Sequence, residues 1–346
     1  MSGLNTKGTM GILRSGWSTE VGDYAIAGGW IEGGKALVVG DAAGGLYAFG
    51  GDSGETIWKQ EGVHEGGMLA CSIHPDGVVL ATTGQDGRVL IWDATKGQIE
   101  KAIELGDGWV ENVAWSPDGA WLAVSMSRKV YVFDADGSEV WCSDEHPSTI
   151  SALAWSTSEL ATACYGQVSF FGAFSGKIQQ RFEWKGSLVS MVLSPDGDVV
   201  ACGSQDRSVH FWRRSTGEDS MMTGYPSKPS ALAFDTRGLL LATGGGELVT
   251  MWSFKGNGPE GTRPHALSLH TLPVTTLSFA PNSMLLASGA RDGSVAVWSL
   301  QSSGEGIPVG ASVTTDAVSG LYWRPGNGAL AGLDAQGGVT TWFVGP

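Results

Sequence analysis

The chain has 346 residues, 42% of them hydrophobic, with 53 glycines, 15 tryptophans and a formal net charge of −14. Length alone suggests roughly two domains, but an all-β fold of this size often forms one unit, and the apolar content suffices for a large core. An acidic surface repels polyanions, which argues against nucleic-acid and anionic-membrane partners, and runs such as Leu239–Ala242 are far too short to span a bilayer.

Met1–Ser15 contains no continuous apolar stretch, so no signal peptide is read there. Cys71, Cys142, Cys164 and Cys202 are widely spaced, with no CxxC and no Cys/His cluster. Four buried free thiols in a reducing, cytoplasmic setting are expected. A short strand-like run, MGILRSGW at 10–17, comes next and has no repeat of its own.

From there the chain repeats. An aromatic closes a short alternating run in LYAF at Phe49, VLIW at Trp92, VYVF at Phe133 and VSFF at Phe171. The pattern continues in VHFW at Trp212, VTMW at Trp252, VAVW at Trp298 and VTTW at Trp342. Eight units fall at about 24–61, 68–105, 110–143, 147–184, 188–223, 229–268, 274–313 and 318–346. Within a unit, a first apolar run ends in a turn such as CSIHPDG at Gly77, AWSPDG at Gly119 or VLSPDG at Gly197. Looser versions are AFDTRG at Gly238, SFAPNS at Ser283 and YWRPGN at Asn327. Proline presets φ, and Gly or Asn accepts φ > 0. A second run leads into a hairpin turn, QDG at 85–87 or RDG at 291–293, and then the aromatic-closed run. A fourth, more polar run, such as QIEKAIEL at 98–105, suits an exposed edge. Four strands per unit in meander order follow. A β-sandwich does not repeat in this way, and a β-helix rung is shorter.

The stretch Gln85-Asp86-Gly87-Arg88-Val89-Leu90-Ile91-Trp92-Asp93 resembles the end of a WD40 repeat, and the resemblance covers about residues 10–346. It implies an all-β closed propeller with eight four-stranded blades, seven being the alternative. It also implies that the strand at 10–17 completes the eighth blade, so that residues 1–346 form one domain. WD40 repeats often carry a hydrogen-bonded His–Ser/Thr–Asp–Trp set. Two units match it in full: His64, Thr82, Asp86 and Trp92, and His270, Ser288, Asp292 and Trp298. Partial matches are His146 with Trp155, and Asp206 with Trp212. The His/Asp/hydroxyl combination could be mistaken for a hydrolase triad. Its recurrence, each time ending on a Trp, gives it a structural role: Asp accepts from His, and the hydroxyl bridges to the indole N–H.

No catalytic residue, cofactor or metal site is read. Phosphate-loop and HExxH patterns are absent, and the six histidines show no metal-ligand spacing. Trp30, Trp115, Trp155 and Trp323 share one position in the unit and read as packing between blades. The family resemblance places partner-binding positions on one loop face, here Tyr24, Gln85, Trp109, Glu111, Gln205, Lys228 and Arg291. Exposed aromatics and arginines are typical anchors. The favoured function is a non-enzymatic protein-interaction scaffold or adaptor, with the negative charge favouring basic protein partners. An accessory handling a small ligand or metal ion in the central channel, and an enzyme with a channel-mouth site, are the alternatives.

Overall fold

The computed structural model describes residues 10–256 and 258–345. The signal-peptide reading of Met1–Ser15 falls largely outside the described residues, as do the outermost ends of the 1–346 domain span. Antiparallel strands dominate, as the alternating, β-branched and aromatic runs require. The glycines of the Asp-Gly turns take the left-handed conformation, with φ of 71° at Gly77 and Gly87 and 76° at Gly293. In the looser turns an asparagine does the same, with φ of 56° at Asn282 and 60° at Asn327.

Each repeat unit folds as a meander. The first consists of Ala25–Ile31, Ala36–Asp41, Leu46–Gly50 and Thr56–Gln60, paired in that order. Ala36–Asp41 is buried along its whole length, whereas Thr56–Gln60 is mostly exposed, so polarity increases outward. The units at 68–104, 110–142, 231–268 and 274–313 repeat this plan.

The expectation of eight separate four-stranded sheets needs one correction. Hydrogen bonding gathers the described strands into seven sheets, because the fourth and fifth repeat units merge into a six-stranded one. Their common element is the strand Ile178–Leu193. Its first part pairs with Glu159–Gly172, down to Ser187 opposite Tyr165, and its second part pairs with Val199–Ser204, starting at Leu188 opposite Ser204. The cause is local. Other links carry turn formers, such as the glycines of EGVHEGG at 61–67 or the prolines of TGYPSKPS at 223–230. The link EWKGSL at 183–188 has no proline and a single glycine, so the chain stays extended.

The N-terminal segment is also shifted from its expected range. Leu13–Glu20 pairs with Gly338–Val344 and forms the outer strand of the last sheet. Met10–Gly11 adds instead to the edge of Gly306–Val313 in the preceding sheet. Gly11 makes the step between them: its φ is 71°, and a Cβ there would lie 1.9 Å from the Val309 carbonyl oxygen.

Apolar clusters fill the clefts between successive units. One of them joins Val21, in the link before the first unit, and Trp30, Leu37, Val39 and Phe49 of that unit to Ala329, Ala331, Leu333 and Val339 of the last. Indoles stitch the same clefts. On the inner strands, Trp30, Trp155 and Trp323 donate to the carbonyls of Tyr322, Ala114 and Ser278 in the preceding unit, at 3.0, 3.0 and 2.9 Å. On the outer strands, Trp17, Trp58 and Trp141 donate to Gly51, Ala94 and Ala173 of the following unit, at 2.9, 3.0 and 2.7 Å. Trp115 keeps the inner position but presents its ring to His74 edge-on, at 4.8 Å.

Candidate functional site: the polar sets and the loop face

In the second unit the four side chains form one chain of hydrogen bonds. His64 Nδ1 lies 2.9 Å from Asp86 Oδ1, and its Nε2 lies 2.9 Å from Thr82 Oγ1. Trp92 Nε1 donates to the same hydroxyl at 2.9 Å. The directions are mutually fixed: the indole donates to Thr82, Thr82 donates to Nε2, and Nδ1–H donates to Asp86. Burial holds the His64 imidazole below its ordinary pKa against the opposing pull of Asp86. Gly84 makes room for this ring, since a Cβ there would sit 2.4 Å from the imidazole.

The set in the seventh unit departs from direct Asp–His contact. His270 Nε2 meets Ser288 Oγ at 2.7 Å, and Trp298 Nε1 donates to that hydroxyl at 2.8 Å. His270 Nδ1 reaches Ser294 Oγ at 2.6 Å, and Ser294 in turn donates to Asp292. A serine hydroxyl therefore relays the contact. Burial pushes the His270 imidazole down to about 4.

Both partial sets are corrected. His146 bonds Thr162 Oγ1 at 2.9 Å and the Arg128 carbonyl at 3.0 Å, and its ring lies beside Phe171. Trp155 is not its partner, because that indole is committed to Ala114 in the neighbouring unit. Asp206 accepts from Ser208 at 2.6 Å, while Trp212 packs against His210 at 4.3 Å. At the position where His64 stands in the second unit, this unit carries Trp184, stacked on His210 at 3.8 Å. A further set escaped the sequence reading. Tyr225 replaces the histidine, its hydroxyl pairing with Thr243 Oγ1 at 2.8 Å and accepting from Trp252 Nε1 at 2.8 Å. The same eighteen-residue offset links His64 to Thr82 and Tyr225 to Thr243. Reading the offset without requiring histidine would have found it.

The loop-face residues lie in links before inner strands or in the turns between second and third strands, except Glu111, which is the second residue of the inner strand Val110–Trp115. Meander order puts both at one end of the sheets. Trp109 is 54% exposed and Tyr24 41%. Gln205, Lys228 and Arg291 are exposed, whereas Gln85 and Glu111 are half-buried. Two pairs are brought together. Gln85 and Trp109 line one cavity of about 430 Å³ with Glu65, Gly66, Asp86, Asp107 and Gly108. Lys228 Nζ donates to Gln205 Oε1 at 3.3 Å. Glu111 is engaged locally, accepting from the Ser127 N–H at 3.0 Å. Tyr24 and Arg291 join neither pair.

The thiols are all free, but only Cys164 and Cys202 are buried; Cys71 is intermediate and Cys142 exposed. Desolvation pushes the Cys71 thiol up to about 12. Among the described residues no group of three His, Cys, Asp or Glu is placed to hold a metal ion. No helix of the described residues is long and apolar enough to cross a membrane.

Four-stranded repeats around a closed ring, pinned by His–hydroxyl–Trp sets, define a β-propeller of the repeat type. Residues 59–93, 102–134, 176–213 and 261–299 match the family described as WD40: WD domain, G-beta repeat. These four segments are WD40 repeats, and the findings together support a WD40-type β-propeller family for the chain. It is similar to telomerase protein component 1 of Mus musculus, at 22% identity over 304 residues, covering 82% of this chain and 11% of that protein. It is also similar to actin-interacting protein 1 of Caenorhabditis elegans, at 25% identity over 272 residues, covering 75% of this chain and 44% of that one. The chain thus spans less than half the length of these relatives. Among solved structures, that of the computationally designed Ika8 protein aligns with a TM-score of 0.82 at 19% identity, covering 97% of this chain and 100% of Ika8.

Proposed function

We propose that this propeller is a non-enzymatic scaffold or adaptor that holds protein partners on the face carrying Tyr24, Gln85, Trp109, Glu111, Gln205, Lys228 and Arg291. The observation that carries the reading is Trp109, an indole 54% exposed at the mouth of a cavity, on loops held by a hydrogen-bonded ring. An exposed aromatic on a rigid support is a typical binding anchor. The recurring His–hydroxyl–Trp sets supply a structural explanation for the residues that most resemble catalytic ones, and one relative is named for interaction with actin. The role is assigned to a cytoplasmic protein without nucleic-acid or membrane partners, in keeping with its charge of −14 and unpaired thiols. Affinity purification from the native cell tests it. Trp109→Ala should lose most of a stoichiometric partner, and Arg291→Ala should weaken its recovery. Unchanged recovery with both variants would show that this face is not used.

A further inference from the structure

The cavity beneath Trp109 has a chemical character that narrows its occupant. Its walls are one exposed indole and the carboxylates of Glu65, Asp86 and Asp107, with the amide of Gln85 alongside. Asp86 is already satisfied: it bonds His64 Nδ1 at 2.9 Å, Arg88 Nη2 at 2.6 Å and the Glu65 N–H at 3.0 Å. Glu65 and Asp107 are different. Both are exposed, and among the described residues neither has a cationic partner and no cation lies over Trp109. Two exposed acidic residues without a cationic partner and an exposed indole therefore border one open notch.

The notch is held in shape by the polar set of the second unit. Asp86 fixes the backbone of Glu65 through that N–H. The turn behind it fixes the opposite wall: Leu105 N donates to the Gly87 carbonyl at 2.9 Å, and Gly106 packs so closely that a Cβ on Gly87 would lie 1.8 Å from its oxygen. Glu65 and Trp109 thus line one notch beside the 85–88 hairpin turn, with the backbone around it held by these hydrogen bonds, so that little ordering of the main chain remains to be done on binding.

We infer that this notch takes an arginine side chain presented by a basic segment of a protein partner. The inference rests on the interaction reading above and deepens it. A guanidinium satisfies both features at once: its flat face stacks on the indole, and its edge donates a fork of N–H groups to a carboxylate. A lysine ammonium offers a point charge without the planar face, and an anion is repelled.

The test uses the whole protein and three small probes, acetyl-arginine amide, acetyl-lysine amide and acetyl-citrulline amide. Citrulline keeps the shape of arginine without its charge. The readout is the indole ¹⁵N–¹H resonance of Trp109, assigned by its loss in Trp109→Phe. Acetyl-arginine amide should shift that resonance saturably and bind about tenfold more tightly than the citrulline probe. The Glu65→Gln/Asp107→Asn double variant, isosteric and on the surface, should keep every other indole resonance in place and lose that preference. Equal binding of the citrulline probe, equal binding of the lysine probe, or an unchanged preference in the double variant would overturn the assignment. The two readings fail separately. A Trp109→Ala protein that loses its partner while the probes show no arginine preference refutes the arginine assignment alone. An intact arginine preference with undiminished partner recovery refutes the interaction face alone.

Discussion

A buried histidine that stays neutral ties stability to pH. In the folded chain the His270 imidazole titrates at about 4, pushed down by desolvation from an ordinary 6.5. Below pH 6.5 the unfolded chain takes up a proton that the folded chain refuses until about pH 4. The stabilisation is therefore fully present above pH 6.5 and is lost as pH falls through that window. A shift of this size corresponds to about 3 kcal/mol. His64, His146 and His210 are shifted in the same direction. Asp86 and Asp292 have lowered carboxyl pKa values, so their contribution is present above the usual carboxylate range and disappears at still lower pH. All these groups destabilise the fold in acid, the histidines first. Replacing His270 by Gln should lower stability at pH 7 but flatten its decline between pH 6.5 and 4, measured as urea midpoints across that range. A decline as steep as in the unaltered chain would mean that His270 is not the group responsible. Both complete sets were legible because each residue is of the type that the spacing demands. The Ser294 relay was not, since only the folded turn shows a serine hydroxyl between His270 and Asp292. Tyr225 was hidden for a chemical reason: its phenol accepts the indole N–H directly and pairs with the threonine hydroxyl, whereas the imidazoles meet only the hydroxyl that takes the indole N–H, and no histidine pattern finds a phenol.

Between neighbouring units the recurrent device is an outer-strand indole lying on a glycine of the next turn. Trp17 faces Gly54, Trp58 faces Gly97 and Trp141 faces Gly176, and all three glycines have positive φ. At Gly97 a Cβ would lie 2.5 Å from the Trp58 ring. Gly97→Ala should therefore carry two penalties, about 1–2 kcal/mol for a left-handed L-residue and a further cost for displacing the indole. In a Trp58→Ala background only the first remains. Urea unfolding of the two single variants and the double variant should show coupling of about 1 kcal/mol or more. Strictly additive losses would show that the contact between glycine and indole carries no energy. Sequence reading found the tryptophans and glycines separately but could not align them across a cleft, because outer-strand register depends on bulges such as the one between Ala48 and Phe49. The merging of the fourth and fifth units was hidden for a related reason. A link with few turn formers is compatible with a tight turn or an extended strand, and the neighbours of residues 183–188 settle which one forms.

For the molecule as a whole, repetition made the architecture legible, and closure is where chain connectivity cannot supply the contacts. Every cleft between units is crossed by the chain itself, the last one by residues 21–24, which lead from Leu13–Glu20 in the last sheet to Ala25–Ile31 in the first; the ring is shut inside that last sheet, where segments from the two ends of the chain pair. Leu13–Glu20 pairs with Gly338–Val344, Leu13 is buried with Trp323, Leu330 and Trp342, and Trp17 reaches on to Gly51 in the first unit. Ser319 Oγ donates to the Ala25 carbonyl at 2.6 Å, and Arg324 Nη1 pairs with Asp52 at 2.6 Å across the same junction. Burying Leu13 alone is worth about 2 kcal/mol. Removing the strand also leaves Gly338–Val344 as an unpaired edge open to other chains. We therefore expect deletion of residues 1–20 to open the ring. The truncated protein should have a larger hydrodynamic radius in sedimentation and a broader, lower-temperature melt in calorimetry. A synthetic peptide of residues 10–20, added in excess, should restore both, because it supplies the paired edge and the buried leucine without a covalent link. An unchanged radius with an equally cooperative melt would place ring closure on the Trp30, Ser319 and Arg324 contacts alone and make the N-terminal strand an accessory to a propeller already shut.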